Sequence, residues 1–370
     1  MKEHRLYRPG SVSWKARLLT ARKALLLSLF TALTLSMLLE QEKALSLSLT
    51  GLNLWFEKMI PTLLPFMILS GILIRMGLSD RFARLFSPVL RPLFRLSDSC
   101  LYVLVIGFLC GFPMGARVTA DSLKLGKLNR REASLMLSFC NNIGPIYFSG
   151  FVLSLFPVSP AWPFWAGMYL LPLLYGMFLR RTLYRDIPFP VPPVSGRAFQ
   201  KSAPSALRAA SLPSAPAASG PFASSSSGKV PAARNASSGK GSSFPSLLEQ
   251  TQESITAALV SIGSLGGYMI LFNLLNLLPD LLLPAQASLA RALCACVLEI
   301  TGGLSRLSSS GAFPAFVLLP FGGLSCIAQT YSMIRETGLS LRSYMLHKSI
   351  QTALAFLYYS LLFLFLRGGI

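Results

Sequence analysis

From Ala133 to Leu179 the chain runs for 47 residues without a charged side chain. A helix crosses the hydrocarbon layer in about 20 apolar residues, so this run has room for two crossings. Inside a bilayer every backbone N–H and C=O must find its partner within the protein, which leaves helices as the building material here. The run is interrupted at Asn141-Asn142-Ile143-Gly144-Pro145. Such a break is tolerated at membrane depth only where it is buried in protein or lines a watery cavity. An all-α polytopic membrane protein organised around broken or re-entrant helices is the expectation.

Composition agrees. Apolar residues make up 52% of the chain and charged residues 13%. The net charge is +20, but the Lys and Arg residues lie between apolar runs and in the two most hydrophilic stretches. That is the pattern of cytoplasmic loops, and no nucleic-acid partner is expected. The six cysteines form no CxxC pair, and His4 and His347 are the only histidines. No metal site and no cofactor are implied. With no GxxxxGK[ST] loop and no Ser/His/Asp constellation, neither ATP hydrolysis nor another enzymatic activity is expected.

In chain order, residues 1–51 hold a basic segment and a first transmembrane helix over Ala24–Leu39, with the N-terminus cytoplasmic. Residues 52–186 read as a first membrane repeat. It contains a span over about Leu52–Ile74 and an amphipathic surface helix in 75–98. A re-entrant hairpin follows over Ser99–Ala116, and then the long charge-free run, turning at residues 156–163. Residues 187–246 are rich in Ser, Ala, Pro and Gly, contain six basic residues and no acid, and are expected to be a disordered cytoplasmic linker. Residues 247–370 read as a second repeat. If the linker is cytoplasmic, the halves enter from opposite sides, giving two inverted-topology repeats. Laying Gly111 over Gly323 puts Arg117 opposite Gln329 and leaves Arg335, Arg342 and Lys348 on the outer side, against the positive-inside rule.

Three breaks carry the candidate site. The first is Gly111-Phe112-Pro113-Met114-Gly115-Ala116-Arg117, where Pro113 removes a backbone donor and Gly111 and Gly115 permit unusual angles. The second contains Asn141, Asn142 and Gly144. The third contains Ser325 and Gln329. Half-helix N-termini favour anionic groups and the opposing carbonyl ends favour cations. The amides either read a polar solute or cap the freed backbone. Arg117 either pairs with a substrate carboxylate or begins the basic loop that follows. Glu299, before Thr301-Gly302-Gly303, either carries a coupling proton or holds a cation, or sits at the interface.

These segments, together with Met59-Ile60-Pro61-Thr62-Leu63-Leu64-Pro65-Phe66, Glu132-Ala133, Glu299-Ile300-Thr301-Gly302-Gly303 and Phe321-Gly322-Gly323-Leu324-Ser325-Cys326-Ile327-Ala328-Gln329, resemble the sporulation integral membrane protein YlbJ family, within the wider group bearing the nucleoside-recognition Gate domain. The resemblance runs from about residue 50 to the C-terminus, linker excluded. It implies a spore-forming host, the mother-cell-derived outer forespore membrane, and a secondary transporter moving dipicolinic acid toward the forespore. Its partners would be the bilayer, a small anionic solute and a coupling proton or cation, with a homo-oligomer left open. A nucleoside or other polar-solute permease, and a non-transporting scaffold in spore assembly, are the alternatives.

Overall fold

The computed structural model describes residues 14–188 and 244–368. Their regular structure is entirely helical, and six helices are long and apolar enough to cross a membrane. The outlying α1 (Trp14–Leu39) exposes its apolar side chains, as a helix facing lipid does. α2 (Gln41–Arg75) starts eleven residues before the expected Leu52 and carries a π-turn at Trp55–Met59. α3 (Ser79–Phe94) meets α4 (Asp98–Cys110) at 100°. It buries Ala83 and Phe94 while exposing Leu85 and Val89, as expected of an amphipathic surface helix.

The first hairpin is α4 and α5 (Met114–Lys124). Gly111 ends α4 at φ +83°, where a side chain would be strained. That the chain doubles back is clear from two glycines eight residues apart that meet one carbonyl. A β-carbon on Gly107 would lie 2.2 Å from the Cys140 oxygen, and one on Gly115 2.1 Å from it. The open ends agree. Ser99 Oγ bonds Asp80 (2.9 Å) and Lys127 Nζ bonds Ser79 Oγ (2.7 Å), so both arms finish at one face of the molecule.

α6 (Arg130–Phe139) begins with a capping box. Asn129 accepts from the Glu132 backbone, and the Glu132 side chain accepts from the Asn129 backbone. After the break at 140–144 come α7 (Pro145–Leu155), an uncharged loop at 156–161 and α8 (Trp162–Arg181). In the second half, α9 (Phe244–Leu274) and α10 (Leu277–Leu282) lead to a second hairpin. Its arms are α11 (Ser288–Leu298) and α12 (Ile300–Leu307). A β-carbon on Gly303 would sit 2.3 Å from the Cys296 nitrogen, so this hairpin turns at Glu299. The broken pair α13 (Ala312–Leu318) and α14 (Gly323–Ile334) and the last span α15 (Leu341–Gly368) complete the fold.

The packing gives the internal repeat a register different from the expected one. Gly111, at the tip of the first hairpin, packs on Gly144 in the break of α6–α7. Ile300, at the tip of the second, packs on Gly323 in the break of α13–α14. α8 packs on α6, Gly176 against Phe139, and α15 packs on α13, Phe316 against Tyr359. The partner of Gly111 is therefore the Glu299 turn and not Gly323. Low letter identity between the halves made the sequence register easy to shift by a whole element.

Equivalent spans run in opposite directions. Along α2 and α9, Gly51 abuts Met269 and Ile270, and the Trp55 ring covers Gly266 while its Nε1 donates to Ile262 O (2.8 Å). Further along, Gly71 meets Ser254 and Arg75 pairs with Glu253. Along α8 and α15, Phe164 O accepts from Tyr359 OH (3.1 Å), and Tyr175 OH meets His347 Nδ1 (2.6 Å). Residue numbers rise on one helix as they fall on the other in both pairs. That is the geometry of an inverted repeat.

This arrangement also corrects the placement of the late basic residues. Glu336 Oε2 accepts from Lys124 Nζ (2.8 Å), and Gly338 O accepts from Arg130 Nη2 (2.7 Å). The 335–340 loop therefore lies on the same basic face as the 125–129 loop. The hydrogen bond from Lys124 holds the exposed Glu336 carboxyl below its usual range. Lys348 is on neither face; it is fully buried. Residues 1–13 and most of the expected 187–246 linker lie outside the described residues.

Opposed faces make a labelling prediction. Ser340 is exposed beside the basic loop, while Ser159 and Ser308 are exposed at the other end of the helices. A membrane-impermeant maleimide applied from one side should label Ser159→Cys and Ser308→Cys together, and Ser340→Cys only from the other. Labelling of Ser159→Cys and Ser340→Cys from the same side would refute the inverted arrangement.

Candidate functional site

The residues at the breaks build one another's supports. Asn141 Oδ1 accepts from Ala116 N (3.2 Å), closing a free donor at the start of α5. Its Nδ2 donates to Thr330 Oγ1 and Tyr344 OH, each at 3.0 Å. Asn141 thus ties the first break to α14 and α15. Asn142 Nδ2 donates to Phe139 O (2.6 Å), and its Oδ1 accepts from Lys348 Nζ (2.8 Å). In α14, Ser325 Oγ accepts from Gln329 Nε2 (3.0 Å). Gly111, Pro113, Gly115, Asn141, Asn142, Gly144, Ser325, Gln329 and Glu299 all lie at or beside the breaks. Arg117 is directed elsewhere.

Glu299 terminates α11 and caps α12. Its carboxylate accepts from Thr301 N (3.0 Å), Gly302 N (2.7 Å) and Asn273 Nδ2 (3.2 Å). An N-terminal cap of this kind neutralises part of a helix's orphaned N–H positions. The α12 N-terminus is thereby occupied by the protein's own carboxylate.

Where the breaks meet, a central cavity of about 60 Å³ is lined by Phe112, Gly144, Tyr147, Glu299, Thr301 and Gln329. Water occupies about 30 Å³ per molecule in the liquid, and ligand pockets span roughly 300–1,000 Å³. The centre is therefore closed down on itself. A second cavity of about 320 Å³ follows, lined by Arg75, Arg117, Asp121, Lys124, Ser254 and Ser332. Three helices and one hairpin line both. On α2, Phe66 borders the first and Gly71 the second; on α9, Leu265 and Ser261; on α14, Gln329 and Ser332. The α4–α5 hairpin contributes its tip to the first and Arg117 to the second. The cavities are consecutive chambers along one groove, and the larger lies toward the basic face. Buried Met67 and Ile262 occupy the turns between them.

Arg117 is only 6% exposed. Its Nε lies 3.5 Å from Asp121 Oδ2, and its Nη1 has no hydrogen-bond partner among the described residues. A buried guanidinium nitrogen without an acceptor is costly, and another part of the Arg117 side chain lines the chamber of ligand size together with Asp121.

Sequence reading missed Lys348, Gln351, Tyr344 and Phe112. Tyr344, Lys348 and Gln351 recur at i, i+4 and i+7, one face of a helix. The charge-free run of this helix starts only at Ser349, so Tyr344 and Lys348 fall before it.

Residues 56–155 match the Gate family, described as nucleoside recognition. A stretch of 128 residues is 36% identical to the sporulation integral membrane protein YlbJ of Bacillus subtilis (strain 168). It covers 35% of this chain and 31% of that protein, so the match spans about a third of the relative's length. No solved structure matches the chain.

Close approach, more than flexibility, is what these glycines supply. Gly115→Ala should destabilise the folded protein by about 3 kcal/mol, the scale of overpacking a filled interior. Gly150→Ala, where an added β-carbon meets nothing within 4 Å, should change stability by less than about 0.5 kcal/mol. Thermal unfolding in detergent or nanodiscs checks both. Equal effects would show that the Cys140 contact is unimportant.

Proposed function

We propose that this membrane protein, similar over residues 56–155 to the Gate family and over about a third of its length to a sporulation membrane protein, is a secondary transporter of a small organic anion, and not an enzyme. The observation that carries the reading is Arg117, a buried guanidinium that lines a chamber of about 320 Å³ and is held by a single carboxylate, Asp121, at 3.5 Å. Arg75 and Lys124 line the same chamber beside Asp121, and each cation there is paired with a carboxylate that an entering anion could displace. By the positive-inside rule this face is cytoplasmic. Dipicolinate, a planar dianion, is the proposed solute, carried from the mother cell toward the forespore across the outer forespore membrane. A bidentate Arg117–carboxylate pair would select and orient it.

The central cavity would then be the narrow point through which alternating access operates, with the hairpin tips as the moving parts. Glu299, buried and met by its three donors, faces that point, and we propose it as the group that carries the coupling proton or holds the coupling cation.

A nucleoside or similar neutral permease is the second reading. Glu299, Gln329 and Thr301 around the centre offer acceptors and donors that suit a neutral polar solute, and the matched family is described by nucleoside recognition.

Uptake into proteoliposomes of labelled dipicolinate and uridine separates the two. We expect saturable dipicolinate uptake, with the KM raised about tenfold or more by Arg117→Gln, the scale of one lost charged hydrogen-bonding partner. Uridine uptake insensitive to Arg117→Gln, with no dipicolinate uptake, would establish the second reading. No flux of either solute through stably folded protein would favour a scaffold.

A further inference from the structure

Lys348 is fully buried in α15 and has no carboxylate partner among the described residues. Its ammonium donates to Asn142 Oδ1 (2.8 Å) and Gln351 Oε1 (3.3 Å), both neutral acceptors. It also lies 4.7 Å from the centroid of the Phe112 ring. Phe112 stands at the tip of the first hairpin, lines the central cavity and packs on Gly322. One cation thus holds the tip of the first hairpin through its ring and the break of α6–α7 through its amide.

An intramembrane charge with no counter-charge is expensive, and such residues are retained for ion or proton handling. The hydrogen bonds around Lys348 reach toward a polar cavity. Gln351 Nε2 donates to Ser138 O (2.7 Å), and Ser138 lines a polar cavity of about 200 Å³ shared with Arg131, Ser134, Ser343 and Tyr344. That cavity lies beside the exposed Arg131–Asp186 pair of the basic face. Tyr344 stands one turn before Lys348 on the same side of α15.

We infer that Lys348 is a proton-binding site whose charge latches the first hairpin. As an ammonium it holds Phe112 by a cation–π contact and Asn142 by a hydrogen bond. When it gives its proton to water admitted as the site opens, the resulting amine keeps a donor for Asn142. It loses the attraction for the ring, and the hairpin tip is released from the centre. The titratable groups near Lys348 are the thiols of Cys140, at the α6–α7 break, and Cys326, on α14, and the Tyr344 phenol one turn away on its own helix, which also supplies neutral Gln351; the hairpin tip supplies Phe112. Nothing on those elements replaces the lost charge. The latch itself is independent of what is carried. Only its consequence, proton-linked flux, rests on the transporter reading.

Hydrogen–deuterium exchange of the full chain in nanodiscs, corrected for the intrinsic pH dependence of exchange, tests the latch. Peptides covering residues 108–118 should exchange about tenfold faster or more in alkaline than in mildly acidic buffer, the scale of one cation–π contact. The tip of the second hairpin, at Glu299, should change little. In Lys348→Met the first tip should be released at every pH; in Lys348→Arg it should stay latched at every pH. A wild-type tip whose exchange ignores pH overturns the proposal, as does an unchanged pH response in either variant. If Lys348→Met does not fold, Lys348→Arg against wild type still decides. Uptake run in parallel separates the two claims. A pH-dependent tip without flux leaves the latch standing and removes the transporter, and flux with a pH-independent tip does the reverse.

Discussion

Backbone groups freed inside a bilayer have no water to turn to, and the whole arrangement follows from how this chain satisfies them. It does so by bringing broken segments together at distances only glycine allows. The Cys140 carbonyl lies where β-carbons on Gly107 and Gly115 would have to be. Gly111 meets Gly144, and Gly323 meets Ile300. The remaining donors and acceptors are met by Asn141, which bridges the start of α5 to Thr330 and Tyr344, and by Glu299, which caps α12. The breaks are mutually required: none has its partners without another.

Charge then orients what the breaks assemble. Arg75, Lys124, Arg130, Arg131 and Arg335 gather on one face, joined by contacts between the 125–129 and 335–340 loops. The other face has the uncharged 156–161 loop and the Arg306–Asp280 pair. Once the second hairpin is matched to the first by its Glu299 turn, the inverted repeat and the positive-inside rule agree. The conflict between them came from a misplaced register and from counting a buried lysine as a loop residue.

Much of this was readable from the chain. Charge-free runs located the spans, and Gly–Pro clusters located the breaks, because both signals are local. The amphipathic pattern of α3 was equally local. What was not readable depends on pairing between distant segments. Arg117 follows the first break directly, yet it faces a chamber of its own because α5 carries it a turn away from the tip. Lys348 looked like the edge of a loop because nothing adjacent in sequence reveals that Asn142, some two hundred residues earlier, accepts its hydrogen bond. Glu299 looked free to bind; its three donors come from the turn it caps and from Asn273 on another helix.

The antiparallel pairing of α2 with α9 and of α8 with α15 has a consequence for biosynthesis. Each half closes its own hairpin on its own break, so the first half can leave the insertion machinery with its most polar backbone already covered. Its outer spans cannot be finished in the same way. The Trp55 indole waits for the Ile262 carbonyl, and Asn142 waits for Lys348. Until translation has delivered α15, the nascent protein is a half-built shell whose seams face lipid. Assembly is therefore completed only once α15 is made, and a ribosome stalled before residue 348 leaves a product that is inserted but not sealed.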